Sequence, residues 1–201
     1  MLSILLLAAG ASSRMRGGDK LLEKVNGAPL LRTLAMRSLD VCDSVIVTLP
    51  PKNAKRLAAL DGLKVTTTLV QDAYLGMAHS LRAGIDVLQP TASGVVIFPA
   101  DMPDLSAEDL QLFVNAHSAA PETIFRGISE TGQPGHPVLF PKSCFVELGA
   151  LSGDTGARDV LRRKQDLIET IALPNEHALT DLDTPEQWVS WRKSKSAPTT
   201  S

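Results

Sequence analysis

Leu7-Ala8-Ala9-Gly10-Ala11-Ser12-Ser13-Arg14-Met15, followed by Lys20, begins where an apolar run from Leu2 ends. The run has the length of a buried strand and passes straight into small residues, the form of a strand-to-loop junction where backbone comes close to something. Gly10 can adopt positive φ at little steric cost, and such a turn aims successive backbone N–H groups at an anion. Arg14 and Lys20 add two fixed positive charges, and Gly17-Gly18 lets the chain between them bend. Two better-known phosphate fingerprints do not fit. Gly10-Ala11-Ser12 breaks the Rossmann G-x-G, and Asp19 stands where a P-loop needs glycine before its lysine. On composition alone the stretch is equally a flexible βα connection with surface charge, so the rest of the chain must decide.

Outward from this loop, Val/Ile/Leu-rich runs recur at residues 3–7, 44–49, 64–70 and 94–98 with helical patterns between them. Met77, Leu81, Ile85 and Leu88 share one helical face, and Leu110, Phe113, Val114 and His117 share another. This predicts an α/β fold: a mainly parallel sheet covered by helices on both faces and joined by right-handed crossovers. After about residue 120 the alternation fails. Residues 123–128 and 137–140 read as strands flanking Thr131-Gly132-Gln133-Pro134-Gly135, which predicts an inserted, partly antiparallel region. Thr184-Pro185-Glu186-Gln187 combines a capping-box pattern with proline in the first turn, so a helix carrying Trp188 and Trp191 begins at Pro185.

The 201 residues suffice for one sizeable core, read as a single domain over 1–192 with a disordered tail over 193–201. Lys+Arg 20 against Asp+Glu 22 gives a net charge of −2, which offers no general attraction to nucleic acid or anionic lipid. Any anion must be held locally. Cys42 and Cys144 lack a C-x-x-C spacing, so neither a disulfide framework nor a zinc site is indicated. The first apolar run is too short to span a bilayer and has no basic leader, so it reads as a core strand of a cytoplasmic protein.

Two carboxylate positions stand out. The run at 94–98 leads into Pro99-Ala100-Asp101-Met102-Pro103, and in open α/β sheets ligands gather beyond the carboxyl ends of the strands. Asp101 can hold Mg²⁺ there or cap a turn. Asp104 reads as structural, with Ser106 the better cap for the following helix. Asp181 and Asp183 precede the last helix and point to one side if extended, so either can face a metal held by Asp101 or merely decorate the helix entrance.

Taken in order, these segments resemble the MobA-like nucleotidyltransferase family, and within it the molybdenum cofactor cytidylyltransferases. The matching stretches are the loop with Lys20-Leu21-Leu22, Gly76-Met77-Ala78-His79-Ser80-Leu81-Arg82-Ala83-Gly84, and Pro99–Pro103. They continue with Pro134-Gly135-His136-Pro137-Val138-Leu139-Phe140, Gly153-Asp154-Thr155-Gly156-Ala157-Arg158, and Asp181-Leu182-Asp183-Thr184-Pro185-Glu186. The resemblance implies a Rossmann-like nucleotidyltransferase fold that joins a nucleoside monophosphate to the terminal phosphate of molybdopterin or the molybdenum cofactor and releases pyrophosphate. It places Leu7, Ala8, Ala9, Gly10, Ala11 and Ser12 against the nucleotide, Arg14 and Lys20 on its phosphates, Ser80 near base or ribose, and Mg²⁺ on Asp101 and Asp183. Ala9, where the guanylyl branch has glycine, narrows the base pocket and favours CTP over GTP. The family usually has glycine beside the methionine, whereas here Met15 is followed by Arg16-Gly17-Gly18-Asp19.

The acceptor is expected at His136 and at a helix start formed by Gly153, Asp154, Thr155 and Gly156, with Arg158 assisting from the first turn. His136 is equally a loop histidine satisfied by a carbonyl. His117 and His177 read as structural, His79 as ambiguous, and Trp188 and Trp191 as packing. The catalytic group is Arg14, Lys20 and Asp101, acting by positioning and electrostatics with no protein nucleophile. The alternatives are a molybdopterin guanylyltransferase, a sugar-phosphate nucleotidyltransferase, or a non-catalytic protein delivering nucleotide or cofactor to an apo-molybdoenzyme.

Overall fold

The computed structural model describes residues 1–153 and 156–196. Strand β1 (Leu2–Leu7) leads into the glycine loop, and β2 (Lys24–Val25) and β3 (Ala28–Pro29) make a hairpin ahead of α1 (Leu30–Leu39). Asn26 and Gly27, at φ 50° and 86°, form its two-residue turn, the positive-φ pair that such hairpins require. There follow β4 (Val45–Leu49), α2 (Ala54–Ala59), β5 (Thr66–Leu69), α3 (Met77–Asp86), β6 (Gly94–Pro99) and α4 (Ala107–Ala119). The chain continues through β7 (Ile124–Ile128), β8 (Pro134–Pro141), α5 (Phe145–Gly149), α6 (Arg158–Arg163), β9 (Ile168–Ala172) and α7 (Pro185–Ser196).

Seven strands form one sheet in the order β5-β4-β1-β6-β8-β7-β9. Its pairs are parallel except where β8 meets β6 and β7. The reversed strand is the inserted region anticipated from the sequence: the connection at 129–133 turns the chain back so that β8 pairs with β7 as a hairpin. Strand β9 had no counterpart in the sequence reading, because Ile168-Glu169-Thr170-Ile171-Ala172 is a half-exposed edge without an apolar run.

Alternation along each strand divides the core. Ile4, Leu6, Val47, Val96 and Phe98 face α1, α4 and Trp188 of α7. Leu5, Ile46, Val95 and Ile97 face α3, α5 and α6. Helices therefore cover both faces, as the sequence pattern required. Helix α4 starts at a capping box between Ser106 and Asp109.

Helix α7 begins at Pro185 as expected, with Gln187 Oε1 accepting the N–H groups of Asp183 (2.8 Å) and Thr184 (2.9 Å). It runs on to Ser196, past the expected boundary at 192. Lys195, assigned to the tail by composition, instead pairs with Asp104 at 2.7 Å, the same carboxylate that accepts Trp191 Nε1–H at 2.9 Å. Residues 197–201 lie outside those described. Because β1 lies between β4 and β6, the sheet order reverses there, and the carboxyl ends of β1 and β6 open onto one crevice.

Candidate active site

The loop leaves β1 under tight control. Ala8 is fully buried, its N–H donates to Thr48 O (3.1 Å), and its carbonyl accepts from Arg56 (2.6 Å). Both backbone groups of Ala8 thus have protein partners, and of the expected contacts Leu7, Ala9, Gly10 and Ala11 line a cavity beside Lys20 while Ala8 does not. Positive φ falls at Ser12 (51°), Arg16 (50°) and Gly17 (94°) and not at Gly10. The left-handed residues flank the single 3-10 turn Ser13–Met15, where the chain reverses and buries Met15. No atom lies within 4 Å of where a Cβ on Gly10 would stand, so the space beside it is open.

A second 3-10 turn, Lys20–Leu22, is capped by Asp19, whose carboxylate accepts Leu21 N–H at 3.1 Å. This turn aims Lys20 back over the crevice. A cavity of about 330 Å³ opens there, and Leu7, Ala9, Gly10, Ala11, Lys20, Ser80 and Asp101 are among the residues that line it. Ser12 lies outside this lining. Its hydroxyl donates to Asp19 (3.2 Å) and accepts from Arg56 (3.1 Å), so its one proton is already committed within the loop.

The carboxylates converge on Lys20. Its ammonium bonds Asp101 Oδ2 and lies 2.6 Å from Asp183 Oδ1, while Arg14 reaches Asp183 Oδ2 at 2.9 Å. Asp183 arrives because Leu182 N–H bonds the backbone carbonyl of Asp101 (3.1 Å), stitching the segment before α7 onto the end of β6. Burial alone would lower the pKa of Lys20, but Asp101 and Asp183 outweigh it and the net shift is upward. Asp181 is pushed up by desolvation first, then by the charges of Asp101 and Asp183. Arg14 is mostly exposed and meets the site through Asp183 rather than through the cavity wall.

These residues fit a hard divalent cation. Asp101 Oδ1 is buried without a hydrogen-bond partner, an oxygen free to coordinate. Mg²⁺ commonly takes one or two carboxylates and completes its shell with water and substrate phosphate. Asp101 would offer its free oxygen to such an ion, and Asp183 would join it by exchanging Lys20 or Arg14 for the ion.

A second cavity, about 300 Å³, shares Leu7 and Met77 with the first and is lined by Arg126, His136, Gly156 and Arg158. His136 Nδ1 is buried and unpartnered, and burial, then the charge of Arg126, lowers the imidazole pKa. The expected helix start at 153–156 is displaced: α6 begins at Arg158, and Gly153 is outside this lining. Positive φ at Gly153 (72°) and Gly156 (55°) bends the chain there instead of starting a helix. Asp154 and Thr155 lie outside the described residues.

Two arginines escaped the sequence reading. Arg126 sits on β7, where it donates to Gly135 O (3.2 Å) and faces the second cavity; Arg56 lies on short α2 beneath the loop. Neither occurs in a motif, and only the fold brings them in. Elsewhere His117 bonds Ser93 (2.9 Å), His177 bonds Asp109 (2.8 Å) and His79 bonds Arg82 (3.2 Å). Trp188 is buried and packs edge-on against Trp191, and both cysteines are free.

A family model described as the MobA-like NTP transferase domain matches residues 4–168. The chain belongs to this family. MobA-like relatives include the purine catabolism protein PucB of Bacillus subtilis, 34% identical over 63% of this chain, and a "probable molybdenum cofactor guanylyltransferase" of Natronomonas pharaonis, 35% identical over 64%. These matches span 60% and 66% of the relatives' own lengths. Nicotine blue oxidoreductase of Paenarthrobacter nicotinovorans is 30% identical over 90% of this chain and 92% of its own. Among solved structures, Rv0371c of Mycobacterium tuberculosis superposes with a TM-score of 0.82 at 25% identity, covering 96% of this chain and 97% of that one. Rv0371c has also been solved in complex with manganese. The chain is thus a nucleotidyltransferase of MobA-like type with a Rossmann-like fold.

Proposed function

We propose that this MobA-like chain is a Mg²⁺-dependent molybdenum cofactor cytidylyltransferase, which moves CMP from CTP to the terminal phosphate of molybdopterin or its molybdenum form and releases pyrophosphate. The observation that carries the reading is the meeting of Lys20 with Asp101 and Asp183 beside a cavity walled by Ala9, Gly10, Ala11 and Ser80. Backbone at Ala9–Ala11 receives the nucleotide, Ser80 approaches base or ribose, and Lys20 with Arg14 balances charge on the departing pyrophosphate. Mg²⁺ on Asp101 and Asp183 neutralises phosphate charge when bound. Manganese in the Rv0371c complex supports a divalent ion, and the choice of Mg²⁺ rests on the oxygen donors.

The adjoining cavity takes the acceptor, with Arg126, His136 and Arg158 around its phosphate. An acceptor phosphate oxygen bonds the α-phosphorus as the bond to pyrophosphate breaks. The protein provides alignment and charge and forms no covalent intermediate. Ala9 lines the nucleotide cavity and is 4% exposed, so its methyl occupies room a larger base would need. The relative named as a guanylyltransferase favours a second reading, with GTP as donor.

The described helices include none long and apolar enough to cross a membrane. The use of a nucleoside triphosphate donor supports a cytoplasmic reaction, upstream of an apo-molybdoenzyme. The test is pyrophosphate release from purified protein with molybdopterin, Mg²⁺ and CTP, GTP, ATP or UTP in turn. CTP-specific release abolished by Asp101→Ala supports the reading. Preference for GTP overturns the cytidylyl assignment, and nucleotide binding without turnover indicates a delivery protein.

A further inference from the structure

Beneath the nucleotide loop lies a guanidinium that faces neither cavity. Arg56 is 2% exposed, on a helix whose N-cap Asn53 accepts the Arg56 backbone N–H at 2.9 Å. Its side chain makes four hydrogen bonds: Nε to Asp19 Oδ2 (2.8 Å), Nη2 to Asp19 Oδ1 (2.8 Å), Nη2 to Ser12 Oγ (3.1 Å) and Nη1 to Ala8 O (2.6 Å). The two bonds to Asp19 form a fork that a lysine cannot reproduce.

These partners occupy three structural points of the loop. Ala8 is where the chain leaves β1, Ser12 is the left-handed residue before the first 3-10 turn, and Asp19 caps the turn that presents Lys20. Asp19 also accepts from Ser12 Oγ and Leu21 N, so Arg56 and Asp19 form one hub through which both ends of the loop are tied. We infer that Arg56 is the positioning residue of the nucleotide loop, holding Ala9–Ala11 and Lys20 in the arrangement that receives a triphosphate without touching it. This rests on the reading of the cavity as a nucleotide site.

Charge gives Arg56 a second task. Asp19 immediately precedes Lys20, and an uncompensated carboxylate there repels the same phosphates that Lys20 attracts. The fork cancels that charge without drawing on Lys20 or Arg14, whose partners are Asp101 and Asp183. A loop ordered in advance also spares the nucleotide the entropy of ordering it. Removing Arg56 therefore weakens donor binding through lost order and through exposed negative charge, while the acceptor cavity, across Met77, is unaffected.

Arg56→Gln, Arg56→Lys, Asp19→Asn and the double variant Arg56→Gln/Asp19→Asn test this. For each, CTP–Mg²⁺ affinity is measured without acceptor, KM is measured separately for donor and acceptor, and amide hydrogen exchange is followed across residues 9–19. Arg56→Gln should weaken CTP binding and raise donor KM by about tenfold or more, as expected when preorganisation and charge balance are lost together. Acceptor KM should stay unchanged, and exchange should accelerate within 9–19 while the strands keep their protection. Arg56→Lys should not rescue, whereas the double variant should bind CTP more tightly than Arg56→Gln because the unpaired carboxylate is gone. A folded Arg56→Gln with unchanged CTP affinity, or with equal losses for donor and acceptor, overturns the proposal. If Arg56→Gln does not fold, Asp19→Asn decides by hydrogen exchange, because it removes the fork without leaving a carboxylate unpaired: faster exchange within 9–19 supports the proposal and unchanged exchange overturns it. If the wild type binds no nucleotide, the cavity reading fails, while the exchange pattern still shows whether Arg56 holds the loop.

Discussion

Lys20 Nζ donates to Asp183 Oδ1 across 2.6 Å while bonding Asp101, so one ammonium joins the end of β6 to the segment before α7. Without it, two partly buried carboxylates face each other with no lysine between them, and like charges so placed disfavour joint ionisation. Lys20→Met should therefore lower turnover by on the order of 10²–10³, the usual cost of removing a charge-stabilising donor. It should also tighten Mn²⁺ binding measured without nucleotide, because the ion no longer competes with the ammonium for Asp101 and Asp183. Electron paramagnetic resonance titration of free Mn²⁺ checks this. Unchanged or weaker Mn²⁺ affinity would show that the carboxylates do not serve as one cation site.

In the proposed cytidylyl reading, base selection rests on the methyl group of Ala9. Ala9 lines the nucleotide cavity and packs with only 4% of its surface exposed, so removing its Cβ enlarges the site without disturbing the exposed loop tip. Ala9→Gly should shift the ratio of kcat/KM for GTP over CTP toward GTP by about 10-fold or more, the range one methyl-sized difference in a pocket commands. Competition between the two nucleotides in one reaction measures it directly. A ratio that does not move places base discrimination elsewhere, with Ser80 the next residue to vary.

The sheet was legible because its central strands are continuous apolar runs, and residues 3–7, 44–49 and 94–98 map onto β1, β4 and β6 nearly end for end. Asp101 and Asp183 were legible because each stands beside a strong local signal, a strand end and a capped helix start. What sequence could not give was anything created by tertiary distance. Arg56 and Arg126 carry no motif and gain their meaning only when α2 is laid under the loop and β7 beside β8. The same holds for Ala8: it looked like part of the anion cradle until Thr48 and Arg56 claimed its N–H and C=O. Edge strand β9 was missed because only Ile168 and Ile171 pack against the core and the strand holds no continuous apolar run.

Histidine 117 predicts a pH dependence of stability. Its ring is 6% exposed, bonds Ser93, leaves Nδ1 buried without a partner, and has its pKa held below the ordinary 6.5 by burial. The unfolded chain has the ordinary value, so between the two values it binds more protons than the folded one. Stability is thus full above the ordinary value and falls as pH drops toward the folded-state value. Between about pH 8 and pH 5 the wild type should lose more melting temperature than His117→Gln, which removes the titrating ring. His136, lowered by burial in the same direction, should keep part of the slope in the variant. Identical slopes in both proteins would remove His117 as a source.

Packing beneath the loop gives the sharpest test of the core. A Cβ added at Gly84 of α3 would stand 2.4 Å from Leu5 Cδ1 and 2.5 Å from Cδ2, inside any tolerable contact. Leu5 is completely buried in β1 between β4 and β6, so it cannot swing clear, and the helix or the strand must shift. Gly84→Ala should cost about 1–3 kcal/mol, the range for an overpacked core. Leu5→Ala alone should cost about 2–5 kcal/mol through the cavity it leaves. Together the added methyl occupies part of the space that Leu5 vacates, so the double variant should lose less than the sum of the singles in denaturant titrations. Because β1 delivers the nucleotide loop, Gly84→Ala should also raise donor KM, and Leu5→Ala added to it should bring KM back toward wild type. Strict additivity in stability would mean that α3 and β1 do not meet at Gly84 as closely as the structure places them.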